Sequence, residues 1–138
     1  TEPCTAASTG DIEVLWLGPD EWLVIAPPGH PELEARLAAA VAEAGAVIDV
    51  SAQRTTLHVT GARARQLLAH GCSIDLHPAV ARTGTCVSTN LALTGVTLVE
   101  RDDTGTDYRV LVRTSFAAYL AGWLVDACLE YRDDPQWQ

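Results

Sequence analysis

VTLVERDDTGTDYRVLVR, residues 96–113, followed closely by SFAAYLAGWLVDACLEY, residues 115–131, is the stretch that decides the fold. Apolar and polar residues alternate on both sides of a charged segment, Arg101 to Asp107, that contains Gly105. That is the pattern of two strands joined by a loop. The second half switches to helical spacing. A hydroxyl at Thr114 or Ser115 suits the helix start, because it can accept from a backbone N–H that the first turn leaves unpaired. Gly95, just upstream, is expected to mark a turn or a bulge.

The same order of strand, turn, strand and helix occurs near the N-terminus. IEVLWLGPDEWLVIA, residues 12–26, reads as two strands joined at Gly18-Pro19-Asp20, and the second is apolar almost throughout, which predicts a central strand. Pro27, Pro28 and Gly29 end it, and Pro31 suits the first turn of a helix running to about Ala44. Leu33, Leu37, Ala40, Val41 and Ala44 share one face of that helix, which predicts burial of that side, with Gly45 as the stop. AVIDVS (46–51) and RTTLHVTG (54–61) read as a strand interrupted at Ala52 and Gln53. Leu57 and Val59 should face away from Thr56, His58 and Thr60. A short helix from Ala62 to His70 follows, with Ala64, Leu67 and Leu68 inward and Gly71 as a left-handed cap; a further strand begins near Thr85. The sum is an α+β fold: an antiparallel sheet with helices on one face, of ferredoxin-like topology, single or duplicated.

Composition narrows the function. The chain has 138 residues, enough for one domain with a real core, and 48% of them are hydrophobic. All nine basic residues are arginine, against eighteen acidic ones, for a net charge of −9. Nucleic acid and anionic membranes are therefore disfavoured partners. No apolar run approaches the roughly 20 residues of a membrane helix, and TEPCTAASTG lacks the regions of a signal peptide, so the expected location is cytoplasmic. There is no methionine, even at position 1, which suggests N-terminal trimming. Cys4, Cys72, Cys86 and Cys128 form no C-x-x-C pair; they read as free thiols, with no metal site and no catalytic residue assigned.

GCSIDLHP, residues 71–78, places a thiol, a carboxylate and an imidazole within eight positions. Metal ligands usually share a face or a set spacing, and these three do neither. The stretch is read as a corner leaving a helix, anchored by Ile74 and Leu76, with Pro78 holding His77 extended.

The final helix is apolar on two sides. Phe116, Tyr119, Leu120, Trp123, Leu124, Ala127, Cys128 and Tyr131 form a stripe expected to cover the sheet. Ala117, Ala118, Ala121, Gly122, Val125 and Leu129 lie opposite, and a helix apolar nearly all round is usually buried on both sides. Ala118, Gly122, Val125 and Leu129 are therefore the expected interface with another chain; the competing reading has an N-terminal segment or the tail YRDDPQWQ (131–138) cover them.

Three segments together, WLGPDEWLVIAP, VIDVSAQRTTLHVTGARARQLLAHGCSIDLHP and VLVRTSFAAYLAGWL, resemble the gamma subunit of heterotetrameric sarcosine oxidase. The resemblance covers roughly residues 14 to 128. It rests on Leu17-Gly18-Pro19-Asp20 through Trp22, on Gly71-Cys72 with Asp75-Leu76-His77-Pro78, and on Arg113 with Ser115-Phe116. It implies a fold related to the folate-binding domain of glycine-cleavage aminomethyltransferases. It also implies a bacterial complex that oxidises sarcosine to glycine, formaldehyde and hydrogen peroxide. The alpha and beta subunits would hold flavins, NAD and folate, while this chain would carry no cofactor and serve assembly. Cys72, Asp75 and His77 would mark a structural turn typical of the family. Relatives usually begin with a further strand-helix segment, and its lack would leave a sheet edge that invites a second copy. The folate-binding relatives carry acidic residues in a glycine-containing hairpin, whereas Thr94-Gly95-Val96-Thr97-Leu98 has none before Glu100.

Two other functions compete. One is a stand-alone folate or small-ligand binding module, suggested by Trp16 and Trp22 flanking a turn, although core packing of both is the simpler reading. The other is a small hydrolase or metal enzyme using Cys72, Cys86 or His77, for which no partner spacing exists.

Overall fold

The computed structural model describes residues 1–132. Its strands are β1 (Ala6–Thr9), β2 (Ile12–Gly18), β3 (Glu21–Ile25), β4 (Arg54–Thr60), β5 (Cys86–Leu91), β6 (Thr94–Glu100) and β7 (Asp107–Arg113). Its helices are α1 (Leu33–Val41), α2 (Ala64–Ala69) and α3 (Ala117–Cys128). The strands form two antiparallel sheets, one in the order β1-β2-β3 and one in the order β4-β7-β6-β5.

The inner strands of the four-stranded sheet, β6 and β7, are buried on both faces, and strand parity explains how. Val96 and Leu98 of β6 and Tyr108, Val110 and Val112 of β7 point to α2 and α3, where Ala64, Leu68 and Leu120 complete the first core. The alternate residues Val99 and Leu111, with Cys86, meet Leu15 of β2 in a second core flanked by Leu17, Leu23 and Ile25. Helices on one face of an antiparallel sheet were expected and are found. The three-stranded sheet over the other face was not expected, and the ferredoxin-like order is not formed: β5, β6 and β7 run as a meander with no helix between them.

The two sheets are stitched at their ends. Ala6 N–H donates to the Gly84 carbonyl at 2.7 Å and Cys86 N–H to the Cys4 carbonyl at 2.8 Å. Arg109 on β7 forms an ion pair with Glu13 on β2 across the interface. The two backbone bonds anchor the start of β1, a strand without large apolar residues that the sequence pattern does not signal.

Several expectations change on this frame. β3 is an edge strand, and the central position belongs to β2. Residues 46–53 form no strand. No residue of α1 is buried; both faces of the central strands β6 and β7 are covered by other elements, and Leu33, Leu37 and Val41 reach only partial burial. Gly95 sits in regular register opposite Asn90, and the β5–β6 turn is Ala92-Leu93, with Ala92 at φ 53°. The Thr114 hydroxyl donates to the Ala52 carbonyl at 3.0 Å instead of capping α3. Gly71 does not adopt a left-handed conformation; its value is room, since a Cβ there would meet the Trp123 ring. The inward residues of α2, Ala64, Leu67 and Leu68, are as expected.

Candidate functional site

At the 71–78 corner the carboxylate and the imidazole are each engaged by their own turn. Asp75 Oδ1 accepts from His77 N–H at 2.8 Å, and His77 Nδ1 accepts from Ala79 N–H at 3.1 Å. Cys72 forms a backbone bridge with Leu91 on the edge of β5, and Ile74 and Leu76 pack into or against the first core. A carboxylate and an imidazole that bind their own turn are a corner's chemistry. Cys86 is buried, and that burial, aided by nearby Cys4, pushes its thiol up to about 11. Burial also raises Cys128 above the ordinary thiol range. Both are poor nucleophiles at neutral pH. No group of three or more His, Cys, Asp or Glu is placed to hold a metal among the described residues.

His58 lies on the exposed side of β4, as its alternation predicts, with Nε2 2.6 Å from Asp107 Oδ1. Trp16 and Trp22 are direct cross-strand partners on β2 and β3. They point away from the second core, contrary to the expectation of core packing, and Trp22 is 48% exposed. Their parity decides this, because Leu15 and Leu23, the neighbouring pair, face inward.

What remains is surface. On α3, Leu120 is fully buried, and Ala117, Trp123 and Leu124 pack beside it on the first core. Ala117 thus belongs to the inner face, while Phe116 and Tyr119, expected in the inner stripe, are exposed. Opposite the inner face, Ala118, Gly122, Val125 and Leu129 all face outward; Val125 is 68% and Leu129 53% exposed. A Cβ built on Gly122 would meet no atom within 4 Å, so the helix backbone itself is open to approach. The N-terminal segment does not cover this face, because it is committed to β2 and to Gly84 and Cys86. The expectation that the tail 131–138 covers it falls on residues 133–138, which lie outside the described residues.

The apolar surface extends further than the helix pattern alone suggests. Leu93, at the tip of the β5–β6 turn, is 88% exposed, and its N–H donates to the Tyr119 hydroxyl at 3.3 Å. The turn and α3 therefore present one surface. A leucine in a tight two-residue turn, where polar residues are usual, was the signal available in the sequence. The described residues include no helix long and apolar enough to cross a membrane.

A model of the sarcosine oxidase, gamma subunit family matches residues 3–130. The chain is similar to sarcosine oxidase subunit gamma of Corynebacterium sp. (strain P-1), 40% identical over 131 residues that cover 94% of this chain and 63% of the relative. It is 39% identical to that of Arthrobacter sp over 126 residues, 91% of this chain and 61% of the relative. Among solved structures it resembles a chain of the heterotetrameric sarcosine oxidase from Corynebacterium sp. U-96 in complex with pyrrole 2-carboxylate. That match has a TM-score of 0.81 at 35% identity and covers 92% of this chain and 65% of the other. The chain thus spans about three fifths of the length of the curated relatives it matches.

Proposed function

The chain belongs to the sarcosine oxidase gamma subunit family, and from that premise we propose that it is the non-catalytic assembly subunit of a heterotetrameric sarcosine oxidase. Its alpha and beta partners would convert sarcosine, dioxygen and water to glycine, formaldehyde and hydrogen peroxide in the bacterial cytoplasm. Flavins, NAD and folate would reside in those partners, and the fold here would be kin to the folate-binding domain of aminomethyltransferases.

The observation that carries this reading is the outer face of α3. Both cores are closed by the chain's own elements, yet Ala118, Gly122, Val125 and Leu129 stay exposed on a helix with few charges. Burying Val125 or Leu129 fully in a partner's surface would stabilise association by about 1.5–3 kcal/mol each before ordering costs. Small residues at 118 and 122 permit close backbone approach. The exposed Leu93 and Tyr119 extend the same patch, and contiguous exposed apolar area of this kind is typical of an interaction site. Self-association is a second use of the surface: β4 pairs only with β7 and β3 only with β2 among the described strands, leaving edges that a second copy could extend.

Co-purification tests the reading. The untagged chain expressed with its candidate partners should bring down the flavin-bearing subunits, and on its own it should show neither flavin absorbance nor sarcosine oxidation. Oxidation of sarcosine by the isolated chain would sink it.

A further inference from the structure

The corner at 71–78 has a second consequence. Together with the turn that follows, it roofs a cavity of about 210 Å³ against the helix-side face of β5, β6 and β7. Ile74, Leu76, Val80 and Leu98 make apolar walls, and Glu100 and Tyr108 also line it. Those last two residues are direct cross-strand partners on β6 and β7. Glu100 is 2% exposed. The Tyr108 hydroxyl donates to its Oε1 at 3.2 Å, whereas Oε2, also buried, has no hydrogen-bond partner.

A carboxylate on a core strand is costly to bury, and a half-satisfied one more so, unless something supplies the missing partner. Burial raises the Glu100 carboxyl above the usual range, and Asp102 and Asp103 act in the same direction; the Tyr108 hydroxyl and Arg65 oppose them. Arg65 is close to the Tyr108 hydroxyl over Gly105, but no ion pair joins it to Glu100 among the described residues. Asp75, in the cavity wall, adds a further negative charge. The surroundings are therefore apolar in shape and anionic in balance.

We infer that this cavity binds a small, largely apolar molecule carrying a protonated nitrogen, of the aryl- or alkyl-ammonium or amidinium class, with Glu100 as its counter-charge. The volume is below the roughly 300–1,000 Å³ of drug-sized pockets, which limits the ligand to one ring or a short branched chain. Val80 is largely exposed and lies at the cavity's edge, so entry needs no unfolding of either core. This site is separate from the outer face of α3, and its failure would leave the subunit reading untouched.

Benzamidinium and its neutral analogue benzyl alcohol are suitable probes, titrated calorimetrically into the full chain in the assembly in which it purifies. The expected result is saturable one-to-one binding of benzamidinium, at least tenfold tighter than benzyl alcohol. Glu100→Gln keeps an acceptor for Tyr108 and should cut benzamidinium affinity at least tenfold while leaving benzyl alcohol within twofold. Val80→Trp, a change at an exposed position that should not disturb folding, should weaken both probes. Absence of saturable binding, equal affinity for the two probes, or binding indifferent to Glu100→Gln would each overturn the assignment; a water molecule satisfying Oε2 would give the first of these.

Discussion

Gly71 lies directly beneath the indole of Trp123: a Cβ built on Gly71 would stand 2.6 Å from Cζ2 and 2.7 Å from Cη2 of that ring, and 3.0 Å from the Ala92 nitrogen. The end of α2, the β5–β6 turn and the inner face of α3 thus converge on one residue without a side chain. Since its backbone is not left-handed, the need for glycine here is one of space.

Gly71→Ala should therefore destabilise the fold by about 1–3 kcal/mol through overpacking. Trimming the ring in the double variant Gly71→Ala/Trp123→Phe should recover part of that loss, although Trp123→Phe alone destabilises. Urea denaturation of the four proteins in the cycle reads the coupling, and strict additivity would refute the contact's role.

Val125→Asp with Leu129→Asp should leave the isolated chain's stability within about 0.5 kcal/mol of the parent, because both side chains are exposed. Against the proposed partner subunits the same pair of changes should cost at least about 2 kcal/mol, roughly thirtyfold in affinity. Size-exclusion chromatography of the mixed subunits, alongside thermal unfolding of the single chain, separates the two effects. Unchanged assembly would place the interface elsewhere.

Asp102 organises the β6–β7 loop. Its Oδ1 accepts from the N–H groups of Gly105 and Thr106 at 3.0 Å and of Asp107 at 3.3 Å, and Oδ2 accepts the hydroxyls of Thr104 and Thr106. Burial works against ionisation, but these bonds outweigh it and hold the carboxyl well below the usual range. The contribution to stability is present above the ordinary carboxyl pKa and is lost as pH falls toward the depressed value. Asp102→Ala should cost about 1–3 kcal/mol at pH 7, with the difference from the parent shrinking in strong acid.

Glu100 should behave oppositely. With its folded-state pKa raised, the native protein holds the proton more tightly than the unfolded chain, so stability falls as pH rises from the ordinary glutamate range through the raised value. Glu100→Gln removes that penalty. It should be more stable than the parent at pH 8 and lose the advantage near pH 4, measured as denaturation midpoints across the range.

Arg109 and Glu13 join the two sheets across a partly buried interface. Removing one partner, as in Arg109→Met, strands the other charge and should cost about 2–3 kcal/mol. Replacing both, Arg109→Met with Glu13→Leu, should restore most of the stability. If the double variant is as unstable as the sum of the single changes, the pair makes no specific contribution.

The elements with strong local signals were legible from residues alone. The alternation of 96–113, the turn at Gly18-Pro19-Asp20 and the inward positions 64, 67 and 68 of α2 each obey a period set by backbone geometry. The two-sided apolar character of α3 was equally visible, since composition around a helix does not depend on what it meets. Periodicity does not fix residues at the margin of a stripe: Phe116 and Tyr119 sit near the boundary of the inner stripe, where a small rotation of the helix decides between core and solvent.

Sequence by itself determined the α+β class, the family kinship and the two-sided apolar character of α3, because periodicity and motif spacing are local properties of the chain. Only the tertiary structure decided that a second sheet closes the other face of the first, that α1 is left without an inner surface, and that Glu100 comes to lie beside Tyr108 at a cavity roofed by the 71–78 corner. Those outcomes depend on contacts between residues far apart in the chain, and no local pattern encodes which of two apolar surfaces will meet or which polar atom will be left between them.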